Sequence, residues 1–196
     1  MSTTQFQTVH QAIQGLFPKI TTIQQYASQP RSPLYTDITL RTYSQVFNAL
    51  VTELHNAASN ARTTANFLVN NLYSTLLNPN QSKEAKQLAT KRFLESQRLS
   101  SGARDALSLW NKFNQLKEAL PTQAQVLTQM GINPTAVVNH MQTVLGGVNN
   151  IQKFYQQVEQ SIRGFKGQLD QGTDRIQGVE HEVRWLTAMS EDLKNI

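Results

Sequence analysis

The chain has 196 residues, no cysteine, and a composition that is 39% apolar and only 16% charged, with a formal net charge of +5. That length is enough for one domain with a real core; the missing thiols exclude disulfides and thiolate metal sites, and no run approaches the ~18 apolar residues a membrane span needs. Gln, Asn, Ser and Thr supply the polar surface instead of charge, so little ionic desolvation opposes contact with a neighbour, and the composition favours assembly.

The first residues, Met-Ser-Thr-Thr-Gln-Phe, hold neither a basic cluster nor an apolar core, so no secretory signal is visible. A soluble chain is expected, and cytoplasmic, virion-associated and signal-less exported settings all fit. From Thr3 to Ala27, the positions Phe6, Val9, Ile13, Leu16, Ile20, Ile23 and Ala27 keep a heptad register, which predicts an amphipathic helix over 3–27. Pro18 lacks a backbone donor, and a kink or restart is expected near Phe17. Pro30 and Pro33 then mark a loop over 28–36.

Asp37 is the expected N-cap of a second helix over 37–77. Its seam runs Leu40, Tyr43, Phe47, Leu50, Leu54, Ala57, Ala61, Thr64 and Leu68, and the small middle, with Ala58 and Ala65, is where another helix can come closest. Asn78-Pro79 reads as the cap and first residue of a third helix over 79–118. Its apolar positions, Ala85, Leu88, Phe93, Leu99, Ala103, Leu107, Trp110, Phe113 and Leu116, keep a looser register, and Gly102 weakens the middle by about 1 kcal/mol relative to Ala. Between Lys83 and Lys117 there are eight basic and three acidic side chains, so this segment alone carries the net charge of +5.

After Leu120-Pro121 a short helix is expected over 121–130, stopped at Gly131 with Ile132 folding back. Asn133-Pro134 repeats the cap signature and opens a final helix over 134–193. Val137, Met141, Val144, Val148, Ile151, Tyr155, Val158, Ile162, Phe165, Leu169, Gly172, Ile176, Val179, Val183, Leu186, Ser190 and Leu193 alternate steps of four and three without a gap. Six glycines oppose this helix at about 0.5–1 kcal/mol each, so neighbours must hold it. Gly146, Gly147, Gly164 and Gly167 are the expected hinge positions, with Gly146-Gly147 the first place to look for a break.

These elements predict one all-α domain over 1–196, an elongated bundle of three to four long antiparallel helices with coiled-coil-type packing. Chemistry is sparse. None of His10, His55, His140 and His181 follows an acidic residue by three positions, the spacing that aims bundle ligands at one metal. Glu180-His181-Glu182 point about 100° apart on a helix and cannot converge on one ion. No phosphate loop or nucleophile turn is present. No enzyme, metal site or cofactor is expected, and no small-molecule substrate.

The expectation is therefore a structural or interaction protein, a helical subunit of a larger assembly of the secretion, pilus or virion type, partnered by copies of itself or by other protein subunits. A first alternative is a basic bundle that coats nucleic acid or docks on an anionic surface through Lys83, Lys86, Lys91, Arg92, Arg98 and Arg104. A second is a membrane-active toxin or translocator using the apolar run from Phe67 to Leu77.

Overall fold

The computed structural model describes residues 5–32, 34, 37–173 and 175–196. All the regular secondary structure among the described residues is helical, with no strand. In chain order they form α1 (Gln5–Ala27), α2 (Ile38–Gln45), α3 (Phe47–Phe67), a π-helical turn (Leu68–Tyr73), α4 (Ser74–Leu77), α5 (Lys83–Glu95), α6 (Arg98–Ala119), a 3-10 turn (Leu120–Gln123), α7 (Ala124–Gln129), α8 (Pro134–Asp170) and α9 (Val179–Leu193). Thr3, Thr4, Pro33 and Asp174 lie outside the described residues.

The helix ends follow local chemistry. Asp37 Oδ1 accepts from Leu40 N at 2.8 Å and caps α2, while its Oδ2 accepts from Thr122 Oγ1 at 3.2 Å and ties α2 to the 3-10 turn. Asn133 Oδ1 accepts from Thr135 N at 3.0 Å, with Pro134 in the first position of α8. Gly131 takes φ 79° and Ile132 N returns to Leu127 O at 2.9 Å, closing α7 with Ile132 buried over it.

α8 is the spine. All ten of its seam positions from Val137 to Leu169 are buried, and Leu145, Gly147 and Phe154 widen the buried face. Its most extensive partner is α6, followed by α1. Gln87 donates to Leu169 O, Gly102 faces Tyr155, and Lys117 donates to Gln142, so α5 and α6 run antiparallel along α8. Val9 against Gly147 and His140 against Gly15 set α1 antiparallel to it as well. The α2–α3 segment runs antiparallel to α6, through Phe47 on Phe113, Lys112 on Glu53, and Arg98 over Phe67. α9 lies chiefly on α3 and the π turn and reaches α8 through Trp185 on Phe154.

Several expected boundaries differ. The helix expected over 37–77 is interrupted at Val46 and opened by the π turn, where Asn71 Nδ2 donates to Phe67 O and Ser74 Oγ to Asn70 O. α5 starts at Lys83 rather than 79, because Ser82 Oγ accepts from Ala85 N while Asn78 Oδ1 accepts from Asn80 N and folds Asn78-Pro79 into a turn. Gln97, at φ 60°, ends the expected helix over 79–118 midway and resets its phase, so Leu88 and Leu107 are exposed while Thr90, Ala106 and Leu109 are buried. α1 continues through Pro18 without restarting, its apolar seam buried on both sides.

The helix expected over 134–193 is also two helices. Its backbone stays α-helical through the four expected hinges, Gly146, Gly147, Gly164 and Gly167. The turn lies further on, where Gly172 and Gly178 adopt φ 91° and 96° and Gln168 clips the loop by accepting from Gln177 N at 2.9 Å.

Candidate functional site

The six cations expected to face an anion do not share one surface. Lys83 and Lys86 border a groove with Arg175, Glu84 and Glu180, at the loop between α8 and α9. Lys86 is only 6% exposed and takes a core position on α5. Lys91 faces another groove, paired with Glu95 at 3.9 Å beside the Lys166–Asp170 pair at 2.7 Å. Arg92 and Arg98 border a third, and Arg104 is exposed on α6 away from all three.

The third groove has the most distinctive construction. Two departures from regular helix meet there: the π turn after Phe67, and the left-handed Gln97 between α5 and α6. A π turn widens the helix and turns side chains away from their α positions, and such turns gather at functional sites. A non-glycine residue at positive φ costs about 1–2 kcal/mol and persists only where its surroundings impose it. Ser96 Oγ donates to Phe93 O at 2.6 Å and Ser100 Oγ to Gln97 O at 3.1 Å, fixing that corner.

Between the two irregularities lies an open basin of about 440 Å³. Phe67 stacks on Phe93 with centroids 5.8 Å apart and an interplanar angle of 20°, and Leu72 and Ala89 complete the apolar floor. Phe67 remains 39% exposed. The Arg98 guanidinium sits 4.7 Å over its ring and Arg92 also lines the basin, with no carboxylate in the lining.

Burial pushes the Tyr155 phenol up to about 12, a hydrogen bond with Thr64 and the Arg98 charge working against it and Asp105 adding to it. Burial also raises Tyr73 and Glu182, and the Glu182 charge adds to the rise of Tyr73 where α9 crosses the π turn. Tyr73 OH and Glu182 Oε1 have no hydrogen-bond partner, although Glu182 also bonds with Ser161. Asp192, 1% exposed on α9, accepts from Phe6 N at 3.2 Å through Oδ1 and caps the first turn of α1 from another helix. Among the described residues no group of three His, Asp or Glu side chains is placed to hold a metal ion, and no helix is long and apolar enough to cross a membrane. In the apolar run from Phe67 to Leu77, Leu68, Leu72, Tyr73 and Leu76 are buried and Phe67 and Leu77 exposed.

Arg92 and Arg98 were visible in the sequence as charge, and Phe93 as a seam residue. Their convergence with Phe67 was not, because it depends on a break at Ser96-Gln97 that no Gly or Pro announces. The adjacent amides Asn70-Asn71, inside the largely apolar run from Phe67 to Leu77, are the one local signal of an opened turn. Comparison with protein-family models, curated proteins and solved structures finds no match for this chain.

Proposed function

We propose that this chain is a non-enzymatic interaction protein, an elongated bundle with coiled-coil-type packing that acts as a subunit of a larger assembly, first of all with copies of itself. The observation that carries this reading is the exposure of large apolar side chains on a sparsely charged surface. Ile38, the first residue of α2, is 67% exposed, and Val46 between α2 and α3 and Tyr26 in the last turn of α1 are also open to solvent, with α1 and α2 held together by Gln24 Nε2 donating to Gln45 O at 3.1 Å. Exposed apolar side chains on adjoining elements favour association, because contact removes them from water at little ionic cost.

A nucleic-acid coat draws less support, since neutralising a phosphate backbone calls for cations along one track, and here five of the six are divided among three grooves while Arg104 borders none of them. Size-exclusion chromatography with light scattering tests the proposal. Wild-type protein at micromolar concentration is expected to exceed its 22.1 kDa monomer mass, and Ile38→Asp with Val46→Asp to return it to monomer with helicity intact. A strict monomer that also captures no partner in pull-downs overturns it.

A further inference from the structure

We infer that the basin between the π turn and the α5–α6 corner is a binding site for a small amphiphilic carboxylate, a molecule with an apolar chain or ring and one carboxylate end. The inference goes beyond the assembly reading and does not depend on it. The cavity, about 440 Å³, falls within the range of small-molecule sites, which pair an apolar floor with a few placed polar groups. Its walls, Phe67 to Thr75 on one side and Ala89 to Arg98 on the other, each cover about two to three helical turns, a basin for one short chain rather than a track for a long helix.

Charge selects the ligand class. Two guanidinium groups border the basin and no carboxylate lines it, although Glu95 is three residues from Arg92; Glu95 points to the neighbouring groove and pairs there with Lys91. Neither Arg92 nor Arg98 has an acidic partner among the described residues. Guanidinium forks match a carboxylate bidentately, and Arg98 is already held at the mouth by the Phe67 ring rather than by an acid. The carboxylate would sit between Arg92 and Arg98, with the apolar body on Phe67, Leu72 and Phe93. Phe67, otherwise an exposed aromatic ring on a helix surface, would then be covered.

Titration calorimetry with decanoate, decanol and acetate, all below micelle-forming concentrations, separates the contributions. Decanoate is expected to bind saturably with one site per chain, decanol about tenfold or more weakly, and acetate without saturation, since a hydrogen bond to a charged group is worth at least that factor. Arg92→Gln with Arg98→Gln is expected to bring decanoate down to the level of decanol, and Phe67→Ser to weaken both. Equal affinity for decanoate and decanol, no saturable decanoate binding, or unchanged binding in a double variant of wild-type helicity would each overturn the assignment. Should the double variant fail to fold, the wild-type comparison of the acid with the alcohol decides alone. An oligomeric state unchanged by decanoate leaves the two proposals separable, because the assembly test reads mass and this one reads heat.

Discussion

Gly102 on α6 and Gly164 on α8 cost a helix the same by propensity, and what a methyl group would meet separates them. A Cβ at Gly102 would lie 2.3 Å from Cζ of Tyr155, whereas one at Gly164 meets nothing within 4 Å. Gly102→Ala is therefore expected to destabilise the protein by about 1–3 kcal/mol through overpacking, despite its better helix propensity, and Gly164→Ala to stabilise it by about 0.5–1 kcal/mol. Urea unfolding midpoints read both, and a stabilised Gly102→Ala would mean that Tyr155 does not hold its place. Gln97 reverses the case: it is the one non-glycine residue at positive φ among those described, and Gln97→Gly is expected to gain about 1 kcal/mol in the same assay. The sequence shows where glycines are, and the Gly-Gly pair at 146–147 draws attention for that reason. It does not show that Gly147 is the flat spot against which Val9 packs, because that contact joins residues far apart in the chain.

At the scale of helices, the seams of α1 and α8 were legible residue by residue, because one buried face and a 3.6-residue period leave few ways to place large apolar side chains. The break between α8 and α9 was not, since Ile176, Val179, Val183 and Leu186 happen to continue the phase of Leu169 across the loop. A heptad pattern records spacing along the chain and is blind to a reversal of direction that preserves it. The short α9 then brings buried acids into two places. Asp192 caps α1 across space, so Asp192→Ala is expected to cost about 1–2 kcal/mol and to speed amide exchange in the first turn of α1 more than elsewhere. Glu182 acts oppositely. Burial raises its folded-state pKa above the unfolded value, so the folded protein binds the extra proton. Its contribution is most favourable below the unfolded carboxylate range and is lost as pH rises through the folded pKa. Glu182→Gln is expected to raise Tm above that window and to flatten the fall in Tm with rising pH; an unchanged pH profile would show that the carboxylate is solvated.

For the whole molecule, the question is whether helices that border α8 on different sides unfold as one. α8 is 37 residues long and meets α1, α5 and α6 along its length, while α9 rests mainly on α3 and touches α8 through side chains. Coupling of α9 to the rest therefore runs through α3, through Asp192 at the start of α1, and through the Trp185–Phe154 contact with centroids 5.8 Å apart. The two tryptophans report on these regions separately, Trp110 from α6 and Trp185 from α9. In Trp110→Phe the remaining fluorescence follows α9, and in Trp185→Phe it follows α6. If the shared core makes one cooperative unit, each variant's fluorescence midpoint in urea is expected to coincide with its own midpoint by far-ultraviolet circular dichroism. An earlier fluorescence transition confined to Trp110→Phe would show that α9 detaches before the bundle opens. That outcome would make the glycine-bounded loop at 171–178, rather than the glycines inside α8, the place where this fold first gives way.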